Sequence, residues 1–398
     1  MSARSPSFGA APRASEASSE HPPGIGASAG VFFAALFAFI ATGAALPVLP
    51  TYVHGPLHGG DIAVGVVVGA FAVTSVVCRP IAGRQTDRRG RRTVLVAGSL
   101  ALALGGSLYI VSDSVATLVL ARLVVGAGEG VVYTAGATWA VDLAPVSRRG
   151  LALGMFGLAV WGGLSLGPVA GELLRSNAGY DAVWILTAVL PLCGAAIAMR
   201  LPEPIRPQRS QQPTRRPALF PPAARRPGAA LALANIGYAG LAGFVVLDLR
   251  DQGIGSGATV FTAFAVAVFT SRLLFSRVPD RIGARAAATG ASAIEALGLA
   301  VIALAHSLPV ALLGALVVGV GFSTMFPSLA LMVVSEVDDA HRGSAMGAFS
   351  AFFDLGVGLG GPLLGATASL AGYPAVFFLS AAAALGTAAL AAMPRHPF

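Results

Sequence analysis

Five ionisable residues fall inside or beside long apolar runs of this chain: Arg122, Glu129, Arg272, Glu295 and Asp354. A charged group at mid-bilayer costs at least about 2.5 kcal/mol, so each marks a place where polar chemistry is wanted. Arg122 and Glu129 are seven residues apart. On a helix that is nearly two turns, so they share a face, roughly 10 Å apart along the axis. Tyr133, four residues beyond Glu129, joins that face, which should look into a polar cavity. A carboxyl group there can take up and release a proton, because burial and a nearby guanidinium act on its charge in opposite senses. Glu129 is therefore the first candidate for proton exchange, with Arg122 tuning it and Asp354 as the competing carrier. Asp354 follows Phe352 and Phe353 in the middle of its run. A carboxylate among aromatic rings suits an amphipathic or cationic ligand; its plain structural reading is a buried hydrogen bond. Phe353, Asn235 and Tyr238 are further candidates for the cavity wall. Glu295 divides evenly between a site and an outer-helix position. Arg79 and Arg272 read as anchors at the inner ends of their helices, not as ligand contacts.

A second cluster lies in the turn Gly83-Arg-Gln-Thr-Asp87-Arg88-Arg-Gly90-Arg91-Arg92. A carboxylate flanked by guanidiniums can make charge-assisted hydrogen bonds or sit against the positive end of a helix. Gly90 permits the tight turn. Such a cluster can latch two bodies in one state and release them in another, and its plain reading is a topology signal. Asp142, at the inner end of a later apolar run, is a possible partner for the arginines.

Other chemistry is excluded. No His, Cys, Asp and Glu grouping has metal-ligand spacing, and Cys78 and Cys193 suggest no disulfide. Gly126-Ala-Gly128-Glu-Gly130 and Gly319-Val-Gly321 resemble fragments of a dinucleotide fingerprint, but they lie in apolar runs without the strand context it needs. All 26 basic residues are arginine, so no phosphate-binding loop with its lysine exists. No nucleophile–base pair argues for an enzyme, and no cofactor is expected.

The elements that position these groups follow from hydropathy. Apolar residues make up 55% of the chain and charged residues 11%, too few charges to cover a water-soluble surface of this size. Apolar runs occur near 29–50, 62–83, 93–111, 115–140, 150–171, 182–199, 229–249, 258–276, 286–305, 308–334, 343–368 and 373–392. Each reaches the roughly 20 residues that a helix needs to cross the hydrocarbon core. The runs lack the alternation of a barrel strand. The expectation is an all-α membrane protein of twelve spans embedded in a lipid bilayer. If both termini lie in the cytoplasm, the outer loops hold only Arg175 and Arg250, in line with the positive-inside rule. The net charge of +8 then needs no nucleic-acid partner. Residues 1–28 read as a disordered cytoplasmic tail. The Pro- and Arg-rich stretch 201–227 reads as a cytoplasmic linker between bundles at 29–200 and 228–394.

The halves are related by a single offset of 193 residues. It carries Arg79, Arg84, Asp87, Arg88 and Gly90 to Arg272, Arg277, Asp280, Arg281 and Gly283. It also carries Gly126 to Gly319, Arg149-Gly150 to Arg342-Gly343, and Gly179-Tyr180 to Gly372-Tyr373. One offset across several loops implies two pseudo-symmetric six-helix bundles. It pairs Asp354 with Trp161, so these two should face each other across the pseudo-two-fold axis.

With that repeat and the 83–92 loop, the chain resembles the major facilitator superfamily over residues 30–393. In the fifth span Gly154, Gly163, Gly167-Pro168 and Gly171 are similar to the glycine–proline pattern of its twelve-span drug/proton antiporter branch. Gly163 and Gly167 lie on one helix face and would admit a close neighbour. Pro168 would bend the helix, making a seam that controls closure and leakage. The resemblance implies a secondary active transporter. Its expected activity is proton-coupled efflux of a small organic molecule, a drug or natural product, by a functional monomer in the inner membrane. The proton gradient would supply the energy. Many relatives carry an acidic residue in the first span. Residues 31–50 have none, so Glu129 and Asp354 both stand as carriers. A sugar or metabolite facilitator of the same fold and a non-transporting membrane sensor are the alternatives.

The latch reading is testable. Asp87→Asn keeps the side chain's size and removes its charge. It should leave membrane insertion intact and slow turnover; equal rates at matched protein levels leave only the topology signal.

Overall fold

A computed structural model describes residues 25–145, 148–203, 221–255, 257–275, 277–337 and 342–394. The described residues are helices and short connections. The first half comprises α1 (Ile25–Ala45), α2 (Val48–His54), α3 (Asp61–Arg89), α4 (Arg91–Ile110), α5 (Val115–Asp142) and α6 (Arg149–Arg200). The second half comprises α7 (Pro222–Asp251), α8 (Gly257–Phe275), α9 (Val278–Ile282), α10 (Ala284–Ala303), α11 (Leu308–Val334), α12 (Arg342–Ala371) and α13 (Tyr373–Ala392).

Among the described residues, eleven helical stretches are long and apolar enough to cross a membrane. One of them, α6, runs 52 residues and holds two crossings broken at Gly179, where φ is 81° and ψ −173°. Only glycine enters that region without strain. The twelve expected spans are therefore present. Gly372, the repeat partner of Gly179, has φ 79° and ψ 173° and separates α12 from α13. Gly90 and Gly283 form a second matched pair, at φ 100° and 87°. The repeat is thus visible in backbone geometry as well as in residue type.

Two expected boundaries move. The first helix starts at Ile25, within the stretch read as tail, and α7 starts at Pro222, within the stretch read as linker. Pro222 occupies the first helical turn, where its missing N–H leaves no bond unmade. Residues 1–24 and 204–220 of these stretches lie outside the described residues.

The surface is the reverse of a soluble protein's. Leu120, Leu166, Leu274, Leu297, Leu313 and Leu359 are exposed, whereas Arg122, Glu129, Asn235, Glu295 and Asp354 are buried. Hydrocarbon accepts the leucines and gives nothing to an unpaired polar group, so the polar groups turn inward.

An even number of spans puts both chain ends on one side, here the terminal side; the other is the distal side. On the distal side α3 crosses α12 at a distance only glycines allow. A Cβ at Gly65 would collide with the Gly361 carbonyl, and one at Gly69 would lie 2.9 Å from the Gly358 carbonyl oxygen. Asp61 stands at this end of α3, 3.0 Å from His54 Nε2, and its Oδ1 accepts a 3.0 Å hydrogen bond from the Tyr373 hydroxyl. The two halves are closed there.

The seam glycines pack within the first bundle. A Cβ at Gly163 would sit 2.7 Å from Phe39 Cβ, and one at Gly167 would sit 2.6 Å from the backbone N of Ala44 and the O of Ile40. At Gly171 it would collide with the Ala44 carbonyl. Pro168 is buried on the same seam, 3.2 Å from the Cβ position of Gly43. Gly154 does not belong to it: the residue is exposed and a Cβ there meets nothing within 4 Å. It lies about two and a half turns before Gly163, beyond the point where α1 and α6 converge. Gly167→Leu forces a bulky group between two backbones. Overpacking of about 1–3 kcal/mol should abolish transport or open a proton leak while membrane targeting persists. Wild-type flux from that variant contradicts the seam.

Candidate functional site

The face of α3 that meets α12 carries Gly65, Gly69, Ala72, Ser75 and Arg79, spaced three or four apart as one helical stripe demands. The glycines bring the backbones together and Arg79 then reaches across. Its Nε donates to Asp354 Oδ2 at 2.6 Å and its NH2 to Oδ1 at 3.1 Å, a bidentate fork. The Ser75 hydroxyl donates to the same Oδ2 at 3.2 Å. Asp354 is fully buried, so these three bonds fill its carboxylate. The pair joins the first bundle to the second at the middle of both helices.

Arg79 also lies over the Tyr133 ring, 4.6 Å from its centroid. Tyr133 is held by Phe39 and Phe156, with ring centroids 6.4 and 5.6 Å away. Glu129 is one turn from Tyr133 on α5. It is 9% exposed, and its Oε2 is buried without a hydrogen-bond partner. The charges close enough to act on it are Asp354, Arg79 and Arg122.

Arg122 does not bond to Glu129. Its guanidinium donates to the carbonyls of Val67 at 3.0 Å and Val68 at 3.2 Å, and to the Tyr109 hydroxyl at 3.4 Å. It also packs over Phe71. This clamps α5 to α3, and its action on Glu129 is through space.

The second bundle contributes aromatic groups. Tyr238 is buried among Phe261, Phe264, Phe322 and Phe353, with ring centroids between 5.8 and 6.3 Å away. Trp161 packs edge-on against Phe322 at 5.4 Å and carries Arg272 over its face at 5.2 Å. Asn235 is fully buried; its side-chain N–H goes to the Leu231 carbonyl at 2.8 Å, one turn back, and its Oδ1 is left without a partner among the described residues.

Several expectations need correcting here. Trp161 and Asp354 do not confront each other; each meets an arginine of the opposite half, and those arginines, Arg272 and Arg79, are themselves repeat partners. Neither arginine is a mere end anchor. The Asp354 carboxylate is not open to a cationic ligand, because Arg79 already neutralises it. Glu295 points into the second bundle, against Gly237 of α7, with neither oxygen bonded.

On the terminal side the 83–92 loop is tied through Arg91. Arg91 Nε donates to Asp142 Oδ2 at 2.7 Å, and its NH1 to the Thr86 carbonyl at 3.3 Å. The backbone N–H groups of Arg91 and Arg92 donate to Glu203 at 2.5 and 3.1 Å. The carboxylate thus caps the positive end of α4. A Cβ at Gly90 would lie 2.6 Å from Glu203 Oε1, a side-chain end that can move aside, so it is the positive φ that calls for glycine here. Asp87 and Arg88 are exposed, and Gly83 passes within loose contact of Thr134. Glu203, Asp61 and Ser75 went unnoticed in the sequence. Glu203 had a usable signal, an acid just past the sixth apolar run in an otherwise basic stretch.

A family model described as the Major Facilitator Superfamily matches residues 31–249 and 229–398, which together span both bundles. The chain belongs to the major facilitator superfamily. An uncharacterized MFS-type transporter of Salmonella typhimurium is 34% identical over 366 residues, covering 88% of this chain and 92% of the relative. Another from Pseudomonas aeruginosa is 31% identical, covering 89% of each chain. Among solved structures, the nucleoside transporter NupG superposes with a TM-score of 0.75 at 15% identity, covering 91% of this chain and 98% of NupG. The human organic anion transporter MFSD10 does so at 0.70 and 21%, covering 92% of this chain and 99% of MFSD10. These two share the fold. Superfamily members are transporters, so this chain is a multi-pass membrane transporter of a small molecule and not an enzyme.

The bridge between the bundles yields a prediction. Arg79→Ala leaves a buried carboxylate uncompensated, at about 3–5 kcal/mol. It should cut both thermal stability in detergent and transport. Exchanging the two residues, Arg79→Asp with Asp354→Arg, should restore part of the stability. A double variant no better than the single one shows that the pair is not the source of the hold.

Proposed function

We propose that the protein exports a small organic molecule, such as a drug or natural product, in exchange for protons. The observation that carries this reading is Glu129: a carboxyl group with a buried, unbonded oxygen, beside the ion pair that joins the two bundles. A proton taken up there changes the charge balance around Arg79 and Asp354, and so the hold of one bundle on the other. Asp354 is engaged by Arg79 and Ser75 in this conformation, which favours Glu129 as carrier. Arg122 stiffens the helix pair behind it. Tyr133, Trp161, Tyr238 and Phe353 supply aromatic surface for an organic molecule, and MFSD10, of the same fold, is described as an organic anion transporter.

The fifth-span seam and the Gly83–Asp142 cluster fit alternating access, in which one bundle rocks against the other around a mid-plane site. The seam keeps the first bundle rigid, and the arginine loop holds its terminal-side corner. Arginine bias supports an orientation with both chain ends in the cytoplasm, and the reading is of a monomer in the inner membrane. The bundles then divide near 29–200 and 228–394.

Glu129→Gln keeps shape and hydrogen-bonding capacity but cannot release a proton. It should abolish uphill export driven by an imposed pH difference in proteoliposomes and leave substrate exchange partly intact. A Gln variant that still concentrates substrate under that gradient removes Glu129 from the role, and Asp354→Asn in the same assay then decides for or against α12. Flux of the wild type that ignores the pH gradient makes the protein a facilitator.

A further inference from the structure

The repeat places two arginines at equivalent crossings between the halves, and the structure treats them differently. Arg79 meets a carboxylate of α12. Arg272 occupies the same position on α8, and its counterpart to Asp354 is Trp161. The neighbouring contacts confirm the equivalence: Ala72 lies against Gly358 where α3 crosses α12, and Ala265 accepts a 2.7 Å hydrogen bond from Ser165 where α8 crosses α6. Residues 72 and 265, and 358 and 165, are again 193 apart.

Arg272 therefore has the setting of a cross-bundle ion pair without the acid. Among the described residues no carboxylate pairs with it. Its Nε is buried and unbonded, and its NH2 reaches only the Ser323 carbonyl, at 3.5 Å. Trp161 supports the guanidinium from one face. One turn away, α6 carries Gly157, whose missing side chain leaves room beside Arg272 NH1: a Cβ there would be 3.7 Å off. The Ser165 bond closes the crossing on the distal side, so the approach lies toward the terminal side. A guanidinium whose Nε is shut off from water without a partner is unfavourable alone, and a planar anion supplies the two acceptors it lacks.

We propose that Arg272, backed by Trp161, receives the anionic group of the substrate, so that the transported class is organic anions, aromatic carboxylates above all. The ligand carboxylate takes the place that Asp354 fills for Arg79, and its ring lies against the Trp161, Phe322 and Tyr238 surface. The inference rests on the transport reading above for its site but not on proton coupling.

The test uses three probes of matched shape: naphthoate, naphthylmethylamine and naphthalenemethanol, titrated calorimetrically into the purified full-length protein. Naphthoate should bind most tightly. Arg272→Gln should weaken naphthoate about tenfold or more, the loss of a hydrogen bond to a charged group, and leave naphthalenemethanol unchanged. Arg272→Lys should retain part of the affinity. The proposal is overturned by tighter binding of the amine, by no measurable naphthoate binding, by an unchanged naphthoate affinity in Arg272→Gln, or by an equal fall for all three probes, which marks a packing role. Naphthoate flux indifferent to a pH gradient sinks proton exchange and leaves the anion site standing. Flux driven by pH but confined to the amine or the alcohol does the reverse.

Discussion

Inside a bundle wrapped in hydrocarbon, a charge has to be answered by another charge or by a ring of donors and acceptors, and the geometry of this protein follows from how each one is answered. Arg79 and Asp354 answer each other, but only because a run of glycines lets α3 and α12 approach until a guanidinium can span the gap. Desolvating such a pair is costly, and the mutual attraction roughly repays it. Its value lies in direction: a bidentate fork fixes the register of one bundle on the other. Arg122 is answered by two backbone carbonyls and a phenol, which makes it a brace. Glu129, Glu295 and Arg272 are left incompletely answered, and the first and last of these carry the functional readings.

The fold was legible in the sequence because lipid imposes a simple rule. A span must be apolar for about 20 residues, and the loops between spans carry the arginines. The repeat was equally legible, since Gly179 and Gly372, or Gly90 and Gly283, keep their residue type for a backbone conformation that other residues resist. The candidate site was legible residue by residue and not as an arrangement. Glu129, Tyr133, Trp161 and Asp354 were all picked out, yet their partners were not. The fork from Arg79 to Asp354 depends on the rotation of α3 against α12, set by contacts hundreds of residues apart. Asn235 stands out in the sequence as polar in an apolar span, but the use of its amide does not: the N–H is bonded one turn back along its own helix and the oxygen is left open. Gly154 fits the glycine pattern of its span, but the pattern runs on past the place where the helices separate.

The two halves show how duplication can be followed by division of labour. Both keep the arginine at the crossing. The first crossing holds an internal ion pair; the second has an indole at the position equivalent to the acid, so its cation is supported without being neutralised. A symmetric pair of ion pairs would have locked the halves together at two points. With one of them unmade, the crossing of α6 and α8 is held by a single hydroxyl-to-carbonyl bond and aromatic packing, and it can part more easily than the crossing of α3 and α12.

The distal closure is built from backbone. Where Gly65 and Gly69 face Gly361 and Gly358, the groups in contact are carbonyls and α-carbons, and every one of those carbonyls can stay bonded within its own helix whether the two touch or part. Separating the helices would strand no backbone group; across the halves it would break the Tyr373–Asp61 hydrogen bond at the partly exposed rim and part Val64 and Val68 from Gly243. Such a gate gives up little polar bonding when it opens. Its position can therefore be set by small forces elsewhere in the molecule, and the distal mouth becomes a follower of the charged centre instead of a barrier with a preference of its own.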